Sequence, residues 1–303
     1  MLKSFIHNLS GIAIILVITL SSCTTNTPKA SENSFSFVFM TDIHLQPELN
    51  APQGFKQAMD SVNSLNPDFV ITGGDLIMDA LGQSYERSDS LYNLYQEMIP
   101  QLKMPVYNTL GNHEIYGIYK ESGADVNHPE YGEKMYEKRL GKSYYSFDHK
   151  GWKFIIMNSI EDTRKSSYIG WVDSIQMNWI KQELDNTPKE TPIVISTHIP
   201  FITAFKQKYY GSTLMNDSSL VVANSKEVID LFKNHNLKLV LQGHLHTIED
   251  VYIDGIHFIT GGAICARWWR GANMGFEEGF MYLTVKDDKV SWEYKDYGWN
   301  VEN

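Results

Sequence analysis

The sequence predicts an α/β fold in which mixed β-sheets are covered by helices. Two observations lead to this prediction. Apolar runs of β character alternate with segments of helical spacing over the first half of the chain, and paired strands replace most helices in the second half. Alternation favours parallel strands joined by helices, whereas hairpins add antiparallel strands. Because no linker interrupts the chain after residue 34, we predict one domain over residues 35–303.

The first half of the chain contains three predicted strands and two predicted helices. Apolar runs that end in polar turns predict the strands, and apolar residues three and four apart predict the helices. In chain order they are the strand Phe35–Met40, the helix Pro52–Leu65, the strand Phe69–Ile71, the helix Ser84–Ile99 and the strand Pro105–Leu110.

The second half begins and ends with paired strands. Asp254-Gly255 is a favourable hairpin turn between two short apolar runs, and a similar pair closes the chain. The predicted elements are the strand pair Tyr144–Phe147 and Trp152–Asn158, the helix Gly170–Leu184, the strand Pro192–Ser196, the helix Lys226–Asn234, the strand Leu237–Leu241, and the hairpins Val251–Ile253 with His257–Thr260 and Phe280–Val285 with Val290–Tyr294.

Composition limits the class of protein to which the chain can belong. Of its 303 residues, 43% are hydrophobic and 13% aromatic, so it can bury a large core and is not a disordered chain. Its formal net charge is −10, without a basic run. Binding the phosphate backbone of a nucleic acid needs the opposite charge, so we expect no nucleic-acid partner.

The amino terminus has the pattern of an export signal. A lysine precedes an apolar stretch over residues 9–20, which is short for a membrane span, and small residues then lead to Cys23. This resembles a bacterial lipobox, in which Cys23 is lipidated; the alternative is an ordinary signal peptide with an incidental cysteine. We predict a signal peptide over residues 1–22, a lipidated Cys23 and flexible tether over residues 23–34, and an exported lipoprotein anchored in a membrane of the cell envelope, facing the periplasm or the cell surface.

Polar side chains follow the ends of five predicted strands, where binding sites gather in open α/β sheets. They are Asp42, His44, Asp75, Asn112, His198, His244 and His246. Carboxylate, imidazole and amide oxygen together suit Mn, Fe or Zn better than Ca or Mg. Two such ions about 3.5–4 Å apart clamp the attacking and leaving oxygens of a phosphoryl transfer, and they also lower the pKa of a bound water. Metal-activated hydroxide is therefore the expected nucleophile.

The motifs that contain these residues resemble those of the calcineurin-like metallophosphoesterase superfamily. They are Asp42-x-His44, Gly74-Asp75, Gly111-Asn112-His113-Glu114, Thr197-His198 and Gly243-His244-x-His246, all in the family order. The resemblance implies a four-layer α-β-β-α sandwich of two mixed sheets with helices outside. Met78 stands where purple acid phosphatases have a metal-binding tyrosine, and His44 is present, so the chain resembles the class III phosphodiesterase-like branch.

The resemblance also implies a role for each residue. The first metal would be held by Asp42, His44, Asp75 and His246, and the second by Asp75, Asn112, His198 and His244, with Asp75 bridging. His113 would be the catalytic residue, contacting the phosphate and protonating or stabilising the leaving oxygen. Asp79 and Glu114 are candidates for orienting His113, but a structural role suits both equally well.

The segment that follows the last ligand contains Trp268 and Arg270 close to several glycines. Tryptophan can stack on a base or sugar and arginine can pair with phosphate, so we name these two residues as candidate substrate contacts. The alternative is a core tryptophan and a surface arginine. Cys265 is expected to be a small buried residue, and His128, His149, His235 and His257, which match no motif, to be surface or packing residues.

The predicted function is hydrolysis of a small phosphoester by two divalent metal ions. We favour a phosphodiesterase acting on an extracytoplasmic nucleotide or phospho-alcohol, because the branch that the motifs resemble contains many phosphodiesterases. A phosphomonoesterase is the alternative, and a non-catalytic metal-binding lipoprotein that serves as a scaffold is an alternative of another class. A nuclease is disfavoured by the negative charge.

Overall fold

The structure, a computed structural model, describes residues 34–286 and 288–301, which all fall in one structural unit. The predicted signal peptide, Cys23 and all of the tether before residue 34 lie outside the described residues. No helix in the described part of the chain has both the length and the apolar character needed to cross a membrane.

The elements follow the predicted alternation of strands and helices. The strands of the described residues are β1 Phe35–Met40, β2 Phe69–Thr72, β3 Val106–Asn108, β4 Tyr145–His149, β5 Trp152–Ile156, β6 Ile160–Asp162, β7 Tyr168–Gly170, β8 Pro192–Ser196, β9 Asn236–Gln242, β10 Ile248–Ile253, β11 Ile256–Gly261, β12 Gly279–Lys286 and β13 Lys289–Asp296. The α-helices are α1 Ala51–Leu65, α2 Tyr85–Met98, α3 Lys134–Leu140, α4 Ser174–Asp185, α5 Phe205–Tyr210 and α6 Ser225–Leu231. Single 3₁₀ turns cover Ile99–Gln101, Asn112–Glu114 and Lys120–Ser122.

Most of the strands form two mixed sheets. The first has the order β13-β12-β1-β2-β3, in which β1, β2 and β3 are parallel and the hairpin β12-β13 is added antiparallel to β1. The second has the order β10-β11-β9-β8-β5-β4, in which the four central strands are parallel and both edge strands are antiparallel. β6 and β7 form a separate two-stranded hairpin.

Side-chain alternation along β1 shows how the layers stack. Phe35, Phe37 and Phe39 belong to a buried cluster that draws residues from both sheets, and the ring of Phe37 lies 5.6 Å from that of Phe154 in β5. Val38, which points the other way, joins a second cluster that includes Phe55 of α1. Since successive strand residues face opposite sides, one face of the sheet packs on its partner sheet and the other packs on helices.

The outer face of the second sheet is covered in the same way. Ile193 and Ile195 of β8 share a buried cluster with Ile180 of α4 and Val228 of α6. Helices therefore cover the outside of both sheets, which confirms the four-layer α-β-β-α sandwich.

The structure differs from the predicted elements in two ways: one helix begins later than predicted, and several short elements were not predicted. The predicted helix Gly170–Leu184 begins only at Ser174, because Gly170 ends β7 and the Asp173 side chain caps α4 by accepting a hydrogen bond from the backbone N–H of Gln176 at 2.7 Å. The hairpin β6-β7 and the short helices α3 and α5 were not predicted. These elements have three to seven residues each and none contains three consecutive apolar residues, so their sequences show neither an apolar run nor a clear period.

A buried ion-pair network joins α2 to α3 through Glu130, whose side chain is only 7% exposed. The Glu130 carboxylate accepts hydrogen bonds from Lys138, from Arg139 and, at 3.1 Å, from the Tyr85 hydroxyl. Burial raises the pKa of Glu130, but the bonds from Lys138 and Arg139 outweigh that effect and lower it to about 2. The ionised carboxylate therefore stabilises the folded state.

Glu130→Gln is expected to destabilise the fold at neutral pH by on the order of 3 kcal/mol. Because the folded-state pKa lies below the ordinary value, the wild-type advantage is complete above about pH 4.5 and declines as the pH falls from there towards 2. Urea unfolding of both proteins between pH 7 and pH 3 measures this difference. Glu97→Gln, an exposed change on α2, should leave the free energy of unfolding unchanged; a pH-independent difference for Glu130→Gln would contradict the prediction.

Candidate metal centre

The seven predicted ligands lie at the carboxyl ends of five parallel strands. Asp42 and His44 follow β1, Asp75 follows β2, Asn112 comes after β3, His198 follows β8, and His244 and His246 follow β9. These strands belong to both sheets, so their ends converge from the two halves of the sandwich onto one edge.

The chain leaves these strands in an unusual backbone conformation. Five of the seven residues have positive φ: Asp42 at 54°, His44 at 45°, Asp75 at 51°, His244 at 73° and His246 at 51°. Non-glycine residues rarely adopt this left-handed conformation, which costs free energy unless surrounding contacts enforce it. Such strain, repeated at the turns that present the ligands, marks the edge as a functional site.

The first ligand group consists of Asp42, His44 and His246. The Nε2 atoms of His44 and His246 are 3.0 Å apart, and the latter is 3.2 Å from Oδ1 of Asp42. The other carboxylate oxygen of Asp42 accepts the Thr41 hydroxyl at 2.6 Å and the backbone N–H of His244 at 3.0 Å. Oδ1 is thus turned towards the two imidazole nitrogens.

Asp75 connects this group to a second one. Its Oδ2 atom is 3.6 Å from Nε2 of His44 and 3.1 Å from Nε2 of His198. Nε2 of His198 also lies 3.1 Å from the side-chain oxygen of Asn112, and donor atoms of Asp75, His198 and His244 lie within 4.8 Å of one another. One carboxylate oxygen is therefore placed between the two groups, as a bridging ligand must be.

Backbone carbonyls set the orientation of three ligand histidines. The partners are Gly73 for Nδ1 of His198 at 2.9 Å, Ala266 for Nδ1 of His246, and Ser219 for Nε2 of His244 at 2.9 Å. A ring nitrogen that donates to a carbonyl leaves the opposite nitrogen with a free lone pair for a metal. The inward nitrogens, two carboxylates and an amide oxygen form a donor set that fits two divalent cations.

The two carboxylates of the centre are ionised. Burial alone raises the pKa of Asp75, but the charges of His198 and His113 hold it well below its usual range. Burial likewise opposes ionisation of Asp42, whose pKa is nevertheless lowered, chiefly by His246. Burial lowers the pKa of His198 and His246, but the charge of Asp75 raises that of His198 to about 9 and the charge of Asp42 raises that of His246. Binding a metal would therefore release a proton from each of these imidazoles.

Glycines let the ligand turns approach closely. A Cβ atom on Gly111 would lie 2.1 Å from the backbone nitrogen of Asp75. Gly74 has a φ of 91°, and a Cβ there would lie 2.6 Å from Nδ1 of His198. The glycines of the motifs therefore serve packing within the centre.

Glu114 holds two of these turns together. Its buried carboxylate accepts the backbone N–H groups of Gly111 at 2.7 Å, Asp75 at 3.0 Å, Leu76 at 2.7 Å and Ile77 at 3.2 Å. Burial and the Asp75 carboxylate raise the pKa of Glu114 to about 8, while the hydrogen bonds from Ile77 and Gly111 act against this shift. Of the two roles considered for Glu114, the structure thus shows the structural one.

Glu114→Gln is expected to destabilise the protein by about 2–3 kcal/mol and to weaken metal binding about 10–100-fold. The reason is that the new amide group places N–H donors against backbone N–H donors in a buried space. Thermal unfolding of the metal-free protein and a Mn²⁺ titration measure the two effects. Glu121→Gln, an exposed change nearby, is the matched control, and a Glu114→Gln protein with wild-type stability would contradict this role.

His113 lies beside both groups at the edge of the centre. Its Nδ1 donates to the carbonyl of Met78, while a carboxylate oxygen of Asp79 lies 3.8 Å away. Its Nε2 is 3.8 Å from Oδ2 of Asp75, and its side chain is partly open to solvent. The donor atoms of His44, Asp75 and His113 are close enough to hold an ion, so geometry allows His113 to act as a ligand or as a proton donor.

Trp268 forms one rim of the centre. Its ring is 4.9 Å from that of His246 and 6.1 Å from that of His44, and the residue is 37% exposed. Its neighbour Trp269 is buried and donates its indole N–H to backbone carbonyls at Ile43 and His44. The structure thus separates an exposed tryptophan at the site from a core tryptophan.

The sequence analysis also named Arg270 and Cys265, which are not among the seven predicted ligands. Arg270 is exposed, and no hydrogen bond or ion pair of its side chain with the ligands is present among the described residues, so its role as a substrate contact stays a prediction. Cys265 is buried as predicted, but its sulfur also lies within 4.8 Å of one ring nitrogen of His44 and one of His246.

Sequence reasoning did not identify several residues that shape the site. The carbonyls of Ser219 and Ala266 orient ligand histidines, and Tyr168 of the short hairpin lies with its ring 6.4 Å from that of His244. Backbone carbonyls leave no signature in sequence, and Tyr168 belongs to an element too short to recognise. The positions of these residues depend on tertiary contacts.

Comparisons with known proteins bear on the family and the fold of the chain. Residues 35–247 match the family model described as calcineurin-like phosphoesterase. The chain is 24% identical over 230 residues to a probable cyclic nucleotide phosphodiesterase from Moraxella catarrhalis, covering 73% of this chain and 75% of that protein. A probable cyclic nucleotide phosphodiesterase from Fibrobacter succinogenes is 25% identical over 214 residues, covering 70% and 71%. The crystal structure of a dimetal phosphatase from Danio rerio superposes with a TM-score of 0.63 at 13% identity, covering 87% of this chain and 96% of that one, which supports the fold.

Proposed function

The chain belongs to the calcineurin-like phosphoesterase family and is a hydrolase, and we propose that it is a phosphodiesterase acting on a small nucleotide or phospho-alcohol outside the cytoplasm. The observation that supports a dinuclear mechanism is the position of Asp75 Oδ2, which lies between His44 of one ligand group and His198 of the other.

Bound metal ions, positioning of the reacting groups and a proton donor would contribute to such a reaction. Two divalent ions, for which we propose Mn, Fe or Zn, add Lewis-acid chemistry when bound, neutralising phosphoryl charge and making a bound water acidic. Asp42, Asp75 and the oriented histidines hold the reacting groups in place, which lowers the entropic part of the barrier. His113 is placed beside them with one ring nitrogen fixed by Met78, so its other nitrogen can donate a proton to the leaving oxygen.

The charges around the centre favour a diester over a monoester. In the part of the chain that the structure describes, no lysine or arginine forms an ion pair with Asp42 or Asp75, whose recorded partners are histidines. A phosphomonoester dianion brings one more negative charge than a diester, and none of these ion pairs places a lysine or arginine beside the ligand carboxylates to meet it. A phosphodiester monoanion fits this arrangement better.

Trp268 supports a substrate with a planar or cyclic group. An exposed indole beside the ligand histidines offers a surface on which a base or a sugar can stack. The relatives named above as probable cyclic nucleotide phosphodiesterases point in the same direction. We therefore place nucleotide diesters first among the candidate substrates.

A panel of phosphoesters with Mn²⁺ supplied tests the proposal. We expect kcat/KM for an aryl phosphodiester to exceed that for the matching aryl phosphomonoester at least about tenfold, and Trp268→Ala to lower turnover of a nucleotide diester more than that of a small alkyl diester. A clear preference for the monoester would refute the diester assignment. Chelator-treated protein is the control for metal dependence.

The extracytoplasmic location rests on the amino-terminal pattern that ends at Cys23. If Cys23 is lipidated, Cys23→Ala is expected to move the protein from the membrane fraction of the cell to the soluble fraction. Cys265→Ala is the matched control, since Cys265 is buried in the folded protein. Unchanged membrane fractionation of Cys23→Ala would argue against the anchor.

A further inference from the structure

We propose that Tyr168 is a substrate contact whose hydroxyl donates a hydrogen bond to a phosphoryl oxygen on the side of the centre formed by His198 and His244. The proposal rests on the proposed function, because it assigns a residue to the same phosphoester site. No sequence motif contains this tyrosine.

The hairpin β6-β7 places Tyr168 at the centre. The backbone N–H of Gly170, which ends β7, donates to the carbonyl of Ser218 at 2.6 Å, and its carbonyl accepts from Ala223 at 2.8 Å. Ser218 and Ala223 belong to the segment 218–223, which also supplies the Ser219 carbonyl that holds the ring of His244. The hairpin and the ligand histidine are thus fixed by one segment, and this accounts for the approach of Tyr168 to the His244 ring.

The ring and the hydroxyl of Tyr168 have different surroundings. The ring is partly buried and packs against the hydrophobic core, at 82° to the plane of the His244 ring. No hydrogen bond of the hydroxyl is present among the described residues, whereas the hydroxyls of the buried Tyr92, Tyr136 and Tyr297 each donate to a backbone carbonyl. Tyr168 is only partly buried and its oxygen is not among the buried polar atoms, so the hydroxyl is open to solvent and available to a ligand.

The hydroxyl of Tyr168 is a neutral hydrogen-bond donor. A protonated phenol can only donate to a phosphoryl oxygen, which carries negative charge and accepts hydrogen bonds strongly.

Tyr168 and Trp268 lie beside different ligand groups. Trp268 lies beside His246 and His44, whereas Tyr168 lies beside His244. His113 is placed for the leaving oxygen. A phosphoester at the centre would therefore meet a stacking surface at one group and a neutral hydrogen-bond donor at the other.

Tyr168→Phe tests the assignment because it removes the hydroxyl and keeps the ring. With the Mn²⁺-loaded full chain, we expect inorganic phosphate to bind about tenfold more weakly and kcat/KM for an aryl phosphodiester to fall about tenfold or more. Manganese content and the thermal unfolding midpoint should be unchanged. Tyr252→Phe is the matched control, since Tyr252 is 63% exposed on β10 and contacts the ring of His257 instead.

Each outcome decides the proposal. Unchanged phosphate affinity in Tyr168→Phe would overturn it, as would an equal loss in Tyr252→Phe or a fall in manganese content that shows a structural role. If the wild type binds phosphate but hydrolyses no diester, the proposed function is wrong. The phosphate affinity of Tyr168→Phe then still tests whether Tyr168 contacts the phosphoryl group. A wild type that binds no phosphate at all would overturn both.

Discussion

Asp75→Ala is expected to abolish turnover and metal binding together. Asp75 Oδ2 faces His44 at 3.6 Å and His198 at 3.1 Å, so one substitution removes a ligand from both groups. Each ion contributes several kcal/mol to stabilising a phosphoryl transition state, and we therefore expect a loss in kcat of at least about 10³-fold. Metal analysis of the purified variant and turnover of an aryl diester with excess Mn²⁺ measure the two effects.

Two further variants separate the bridging role from a general loss of structure. Asp75→Asn keeps the size of the side chain and one oxygen, so it should fold and still bind metal far more weakly than the wild type. Asp60→Asn, an exposed change on α1 where Asp60 pairs with Lys56, should behave as wild type. Retention of two ions and measurable turnover in Asp75→Ala would rule out the bridging ligand.

His113→Ala is expected to keep both ions and to lower kcat by about 10²–10⁴-fold, the usual contribution of a general acid. The structure also allows His113 to join His44 and Asp75 in holding an ion, and the metal content of the variant distinguishes the two roles. Loss of an ion would show that His113 is a ligand.

Leaving-group dependence gives a second test of the same role. If His113 protonates the leaving oxygen, the loss in His113→Ala should be largest for an alkyl diester, whose alcohol is a poor leaving group, and smallest for a nitrophenyl diester. A uniform loss across both substrates would indicate positioning instead. His128→Ala is the control, since His128 contacts the rings of Tyr85 and Tyr116 and none of the ligands.

The layered fold and the position of the centre could be predicted because both depend on local sequence patterns. Phe35, Phe37 and Phe39 alternate with Ser36, Val38 and Met40, and this mostly apolar run marks a strand that is largely buried on both faces. Polar residues directly after such strands, as at Asp42 and Asp75, then indicate a site at the carboxyl edge.

The orientation of the ligands could not be predicted, because it depends on contacts between residues far apart in sequence. Glu114 reaches across 39 residues to the backbone of Asp75, and Ser219 holds His244 from a segment without regular structure. The hairpin that carries Tyr168 has strands of only three residues, and neither strand contains three consecutive apolar residues that would mark it in the sequence.

Trp268 and Trp269 are a second case in which the sequence could not predict the surroundings of a side chain. Adjacent in sequence, Trp268 is exposed at the metal centre while Trp269 is buried and bonded to the backbone at Ile43 and His44. The prediction allowed a site or a core role for this segment, and the structure contains one of each. Both residues have positive φ, a conformation that the sequence does not reveal for tryptophan.

A titration of the metal-free protein with Mn²⁺, followed both by calorimetry and by turnover of an aryl phosphodiester, tests the dinuclear phosphodiesterase most directly. We expect two ions to bind per chain and turnover to reach its maximum only when the second site fills. Full turnover with one ion bound, or two bound ions without hydrolysis of any phosphoester, would contradict this account.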